Sequence, residues 1–247
     1  MKISVITVAY NSAHTIGDTL RSVAAQIYPD IEHIIIDGAS EDETLKIVDK
    51  NSQRVARVIS EPDHGIYDAM NKGLKFASGE YICYLNADDV YASEGSIAQV
   101  IDALRTNPVD LIYGDIQLVR VDDLESVVRY WKSGRYVISS LRAGWMPPHP
   151  GTFIRRDLMQ EIGGFDTRYR IAGDYDLMVR CLLSENIRVS YLPKLLTKQR
   201  MGGASTRSMK ALALKSAEDL KVIQRNQIGG LMTLFCKNTR KISQFFG

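Results

Sequence analysis

The sequence predicts an α/β fold built on a mostly parallel central sheet, and three observations predict it. β-type and helix-type patterns alternate regularly through the first half of the chain, which is the sequence form of βαβ units. Proline and glycine punctuate the alternation near element ends, at Pro29, Gly79 and Pro108. Polar residues follow each strand directly, at the edge where parallel α/β sheets bind ligands.

Ile3 to Ala9 reads as a buried strand. Thr15 is placed to cap a helix whose Ile16, Leu20, Val23, Ala24 and Ile27 share one face, with Pro29 beyond its end. Ile34-Ile35-Ile36 is the second strand, and Ser40-Glu41-Asp42-Glu43 fits a capping box ahead of Leu45 and Val48. Val55 to Ser60 is the third strand. Ile66, Tyr67, Met70 and Leu74 are spaced for a helix that Gly79 is placed to end before the strand Tyr81 to Leu85. Another helix runs toward Pro108, and Asp110 to Tyr113 is the fifth strand. Beyond Asp115 the pattern becomes α+β. It holds a strand at Val127 to Trp131, a turn-rich loop from Gly144 to Gly151, helices at Arg156 to Ile162 and Tyr175 to Ser184, and a strand at Arg188 to Leu192. From Ser208 a long helical segment carries Leu212, Leu214, Ala217, Leu220 and Ile223. An apolar tail from Leu231 to Phe246 follows, with Lys237, Arg240 and Lys241 interspersed.

With 247 residues, 45% of them hydrophobic, the chain has ample material for a core that needs no staples. Cys83, Cys181 and Cys236 are odd in number and widely spaced, which fits a reducing compartment better than a zinc or redox pair. A formal charge of +2 points to neither a nucleic-acid surface nor a strongly acidic partner. The opening Lys2-Ile3-Ser4-Val5-Ile6-Thr7-Val8 is strand-like rather than a signal segment, and no run approaches the ~18 apolar residues of a spanning helix. The expectation is a cytoplasmic protein, neither exported nor integral.

The strand ends carry the chemistry. They read Tyr10-Asn11, Asp37-Gly38, Glu61-Pro62-Asp63 and Asn86-Ala87-Asp88-Asp89, so five carboxylates converge on one edge. Crowded carboxylates repel and raise one another's pKa, which calls for a cation. Mg²⁺ and Mn²⁺ favour hard oxygens and bind through one or two carboxylates plus substrate phosphates, which makes Asp88 and Asp89 the ligand candidates. The plainer reading makes each such Asp or Asn a turn former, and for Asp37 alone the two readings are evenly matched. The first βα turn has no Gly-x-Gly-x-x-Gly, and no Gly-Lys-Ser/Thr phosphate loop occurs, so the dehydrogenase and P-loop readings fall.

Ile3-Ser4-Val5-Ile6-Thr7-Val8-Ala9-Tyr10-Asn11, Asp37-Gly38-Ala39-Ser40-Glu41-Asp42, the run from Ser60 to Gly73 and the run from Gly79 to Asp89 together resemble glycosyltransferase family 2. Pro148-His149-Pro150-Gly151-Thr152-Phe153 and Gly163-Gly164-Phe165-Asp166 continue the resemblance. It implies the GT-A fold, and inverting transfer of a sugar from a nucleotide diphosphate, usually a UDP-sugar, with Mn²⁺ or Mg²⁺ as cofactor. It implies a GT-A domain over 1–205, with a nucleotide-sugar half at 1–113 and an acceptor half at 114–205, and a helical tail at 206–247. It also implies that Asp37 contacts the base, that Asp88 and Asp89 contact ribose and metal-bound diphosphate, and that Tyr10, Asn11, Asp63 and Asn86 line the same pocket. The family's Asp-x-Asp reads Asn86-Ala87-Asp88 here, which leaves open whether Asp88 or Asp89 holds the metal.

Gly173-Asp174-Tyr175-Asp176 resembles the family's Glu-Asp motif, with glycine in place of glutamate, and assigns Asp174 as catalytic base. The alternative is that Asp174 caps the helix after it. Arg200 with Gly202-Gly203-Ala204-Ser205 resembles a loop that closes over the diphosphate, or else is an ordinary turn. Trp145 and His149 are the acceptor-side candidates, set against a core tryptophan and a structural loop histidine. The tail either lies on an anionic membrane surface or packs back on the body. The function expected is saccharide transfer to a lipid-linked acceptor in bacterial O-antigen, capsule or exopolysaccharide assembly. The alternatives are a sugar-phosphate nucleotidyltransferase and a non-catalytic nucleotide-sugar-binding subunit, for which Gly173 and Asn86 speak.

Overall fold

The computed structural model describes residues 1–202 and 209–243, the last three as helix backbone only. Four strands form a parallel block: β1 (Ile3–Ala9), β2 (Ile31–Asp37), β3 (Val55–Ser60) and β4 (Tyr81–Tyr84), in the order β3-β2-β1-β4. Helices α1 (Ile16–Ala24), α2 (Thr44–Lys50) and α3 (Ile66–Phe76) make the crossovers. Successive side chains of a strand face opposite ways, and both faces of β1 are buried. Ile6 and Val8 join Ile34, Ile36, Tyr67 and Met70 on one side, while Ile3 and Val5 join Tyr81, Cys83 and the helix α4 (Ser96–Thr106) on the other.

The second half departs from the expected elements. The sheet continues through β5 (Val90–Tyr91), β6 (Leu111–Val119), β7 (Val127–Trp131), β8 (Thr152–Arg155) and β9 (Val189–Arg200), and it becomes mixed. β8 runs antiparallel to β4 and β6, whereas β9 runs parallel to β6. The sequence reading stops β9 at Leu192, but the strand passes Pro193 and continues to Arg200. It can do so because the register shifts there: Tyr113 pairs Tyr191 and Asp115 pairs Leu195, so Pro193 owes no ladder hydrogen bond. The short helix α5 (Ser139–Arg142), a 3-10 turn at His149–Gly151 and α6 (Arg156–Glu161) link these strands.

Two local readings need correction. The predicted capping box does not form. α2 starts at Thr44, whose N–H is taken by Asp42 Oδ1 at 3.0 Å, and Ser40 is turned toward Asp37 instead. Gly79 does not end α3, which stops at Phe76; its N–H goes to Ser4 Oγ at 2.8 Å.

Helices α7 (Gly173–Leu182), α8 (Met209–Arg225) and α9 (Leu231–Ser243) complete the chain. The expected tail packs on the body along one face. Val222, Ile223 and Ile228 join the core cluster of α7. Asp219 is fully buried between Lys215 (2.7 Å) and Lys237 (2.8 Å), and Lys237 Nζ lies 4.1 Å from the centre of the Tyr175 ring. A Cβ added at Gly144 would stand 2.6 Å from the Lys237 backbone, so α9 rests directly on the loop ahead of His149. Phe245 and Phe246 lie outside the described residues.

Candidate active site

Strand register lines up one edge. Ala9, Asp37 and Ser60 are in a row across β1, β2 and β3, so the residues after them emerge together. Asp37 is fully buried, and its carboxylate accepts from Ser40 N (2.9 Å), Ser40 Oγ and Ser60 Oγ (2.7 Å). Ser40 Oγ also receives the Asn11 N–H at 2.8 Å, and Asn11 Oδ1 receives the Glu41 N–H at 2.9 Å. Asn11 therefore ties two strand-end loops together. It does so at a φ of 48°, a left-handed backbone that asparagine tolerates. Tyr10 beside it is 65% exposed. At Gly38 a Cβ would stand 2.9 Å from Asp63 Oδ2 and 3.4 Å from Tyr10 Cδ2, so the missing side chain leaves a ledge between those two residues.

The crowded carboxylates have a cation that the sequence reading overlooked. Lys72, in the second turn of α3, reaches Asp63 at 2.6 Å, Glu61 at 3.0 Å and Asp68 at 3.7 Å. Burial opposes its charge, but the bonds to Asp63 and Glu61 outweigh that and hold the ammonium above its ordinary pKa. The convergence of five acids on this edge is therefore partly neutralised from within.

Asp88 and Asp89 stand in unlike places. Asp88 is half-buried at the surface of the loop, whereas Asp89 is sealed inside with one oxygen on the Arg200 N–H at 3.2 Å. Burial, reinforced by the Asp88 charge, pushes the Asp89 carboxyl well above the usual carboxylate range. Asp89 Oδ2 and Asn86 Oδ1 are both buried acceptors with no hydrogen-bond partner among the described residues. Arg200, expected near the diphosphate, has its guanidinium engaged by the protein itself. It is a buried strut whose Nε donates to Val121 O (3.0 Å), whose Nη1 donates to Asp88 O (2.9 Å) and whose Nη2 pairs with Asp18. The glycine-rich residues 203–205 beyond it lie outside the described residues.

Asp174 sits in the first turn of α7, not ahead of it. The cap position is Ala172, and the groups around it are satisfied by distant residues. Glu218 of α8 accepts the N–H groups of Arg170 (3.0 Å), Ile171 (2.9 Å) and Ala172 (2.9 Å). The Tyr67 hydroxyl donates to Ile171 O at 2.7 Å and lies against the N–H groups of Gly173 and Asp174. Asp174 itself accepts only the Tyr175 N–H, at 2.7 Å through Oδ1, among the described residues. A Cβ on Gly173 would come within 2.6 Å of the Tyr67 ring, so that ring occupies the space a larger residue at 173 would need.

Four packed rings, two stacked pairs that meet edge to face, join the two ends of the site. Tyr84, at the end of β4, lies 5.4 Å from His149 and 5.1 Å from Phe165, and Phe165 lies 5.3 Å from Tyr67. His149 is 7% exposed, and its Nε2 has no partner among the described residues. Burial draws this imidazole below its ordinary pKa, and the nearby Asp174 charge works the other way. Trp145 is not an acceptor platform. It is 6% exposed, stacked on Tyr136 at 5.7 Å, with its Nε1–H donated to Ser133 O at 2.9 Å.

Among the described residues no three His, Cys, Asp or Glu side chains gather into a ready-made metal cluster, and no helix is long and apolar enough to cross a membrane. The sequence profile of Glycosyl transferase family 2 matches residues 4–171. A PGL/p-HBAD biosynthesis glycosyltransferase of Mycobacterium tuberculosis is 31% identical over 193 residues, which cover 76% of this chain and 73% of that one. S. aureus TarS 1-349 in complex with UDP-GlcNAc superposes with a TM-score of 0.70 at 21% identity, over 94% of this chain and 71% of that one; the match covers 44% of a longer TarS chain. The mannosyltransferase PcManGT of Pyrobaculum calidifontis, in complex with GDP-Man and Mn²⁺, gives a TM-score of 0.66 at 19% identity, over 96% of this chain and 69% of that one. The strand-end motifs, the sheet that carries them and these likenesses agree: the chain belongs to glycosyl transferase family 2 and has its GT-A fold.

Proposed function

We propose that the chain moves a sugar, with inversion at its anomeric carbon, from a UDP-sugar to a hydroxyl of a lipid-linked saccharide, with a divalent cation, in bacterial surface-polysaccharide assembly. The observation that carries this reading is the chain of packed rings from Tyr84 through Phe165 to Tyr67, with the Asn86–Asp89 loop after Tyr84 at one end and Asp174 at the other. The nucleotide sugars bound by TarS and PcManGT support the donor class.

The residues at the Asn86 loop fit a hard cation. Asp88 offers a half-exposed carboxylate, and two buried oxygens without partners, Asn86 Oδ1 and Asp89 Oδ2, belong to the same loop. Asp88 is the residue that would hold the metal, and Asp89, sealed from solvent, shapes the loop through the Arg200 N–H. When bound, the cation offsets charge on the departing diphosphate. Tyr10 and Asp63 flank the ledge at Gly38, where a flat nucleobase fits between a ring face and a carboxylate. Asp174 then takes the proton of the acceptor hydroxyl as that oxygen bonds to the anomeric carbon, and the bond from this carbon to the diphosphate breaks to release UDP.

UDP release from a panel of UDP-sugars with Mn²⁺, with and without chelator, tests the reading. Turnover with one sugar that Asp174→Asn abolishes supports it. Donor binding with no turnover, even when acceptor is supplied, would instead favour the non-catalytic subunit.

A further inference from the structure

Charge is unevenly distributed along this chain. Residues 126–156 contain six basic side chains and no acidic one, and residues 220–247 contain five and none. Eleven of the 31 Lys and Arg residues thus fall in two segments that hold none of the 29 Asp and Glu residues, in a chain of formal charge +2. Far apart in sequence, the segments meet in space. The Lys237 backbone lies against Gly144, and Tyr136, Met146 and Leu234 pack on the same apolar cluster. Some of these cations serve the fold, as Arg155 on Asp110, Arg225 on Asp166 and Lys237 on Asp219. Lys132, Arg135, Arg142, Lys221 and Arg240 are exposed.

Apolar side chains that the core does not use stand among them. In the loop leading into α5, Val137 is 56% and Ile138 68% exposed. In the first turns of α9, Leu231, Met232 and Phe235 are 72%, 73% and 63% exposed. Apolar side chains set among cations match the interface of an anionic bilayer, where burial of apolar area and attraction to lipid phosphates add. A second copy of the chain would instead set cation against cation.

We propose that the loop at Val137-Ile138 and the first turns of α9 form one docking surface for an anionic membrane, with Lys132, Arg135 and Arg142 against the lipid phosphates. This deepens the reading above and rests on it for its purpose, because α9 touches the loop ahead of His149 and the Tyr175 ring beside Asp174. A saccharide rising from a lipid anchor would meet the enzyme on that side.

The test is co-sedimentation of the full chain, without donor or acceptor, with vesicles of phosphatidylcholine alone or mixed with equal phosphatidylglycerol, at about 0.1 M salt. The protein should bind the anionic vesicles at least about tenfold more tightly than the neutral ones. The triple change Lys132→Gln, Arg135→Gln, Arg142→Gln should weaken binding by about fivefold per charge, roughly a hundredfold in all. Val137→Ser with Ile138→Ser, and Leu231→Ser with Phe235→Ser, should each weaken it by about tenfold or more. Every variant should keep wild-type UDP-sugar binding, so failure here is distinguishable from failure of the transferase reading. No partition of the wild type, equal partition to neutral vesicles, or unchanged binding by the variants would each overturn the proposal. So would a wild-type dimer that the same substitutions dissociate, which would assign the surface to a second copy.

Discussion

The donor edge and the acceptor end of this site are held by different means. Asp37 and Asp63 are fixed by near neighbours in sequence: Ser40 and Ser60 for the first, Lys72 nine residues on for the second. Asp174 is fixed by Tyr67, more than a hundred residues upstream, and by Glu218 of a helix that follows two elements later. The Asp37–Asp63 edge is therefore a property of consecutive βαβ units, whereas Asp174, like the Asn86–Asp89 loop braced by Arg200, is an assembly of remote parts. The difference predicts that the proposed donor binding and acceptor activation are separable in stability as well as in chemistry.

The largest expected effect tests that separation at the reacting group. Asp174→Asn should lower kcat by about 10²–10⁴ with UDP affinity unchanged by titration calorimetry, and a matching fall in UDP affinity would break the comparison. Next comes Glu218→Ala, which strips a charged acceptor from three N–H groups. A loss of about 3 kcal/mol or more is expected, read as a Tm lower by roughly 6–12 °C, with kcat falling further than donor affinity. Gly173→Ala, pressing a methyl into the Tyr67 ring, should cost about 1–3 kcal/mol and likewise spare donor affinity.

Near neutral pH the smallest effect belongs to the parallel block, and it grows as the pH falls. His33 in β2 is fully buried beside Thr7 Oγ1 at 3.0 Å, and burial draws its imidazole down to about 3. A base whose folded pKa lies below its unfolded value keeps its stability above the unfolded pKa, near 6.5, and loses it as the pH falls from there toward 3. The expected loss is about 1.4 kcal/mol per pH unit within that window, read as a falling urea midpoint. A His33→Gln variant should flatten the slope. A slope unaltered by the substitution would place the acid sensitivity at groups other than His33.

The same divide governs what was legible in the sequence. β1 to β4 are legible because each is an apolar run between turn residues, and Asp37, Asp63, Asp88 and Asp89 are legible because they stand directly after those runs. Lys72 was not, since a lysine on an amphipathic helix looks like any solvated one until the strand ends are folded over it. β8 was missed because four residues after a proline-rich loop carry too little periodicity, and β9 was cut short at a proline that a register shift accommodates. Glycine at 173 reads as a lost acid in the sequence. In the structure it is the consequence of a tyrosine ring that no local pattern connects to it. Trp145 in its loop read as an acceptor candidate or a core tryptophan, and the packing of Tyr113 and Tyr136 around it puts it in the core.

Glu218 follows Asp174 in the chain, and that order has a meaning in time. A polypeptide leaves the ribosome from its N-terminus, so the four parallel strands and their serine and lysine partners emerge while the α8 carboxylate has not yet been translated. The loop that carries the acid at 174 is therefore locked only after the parallel strands and their partners have been made.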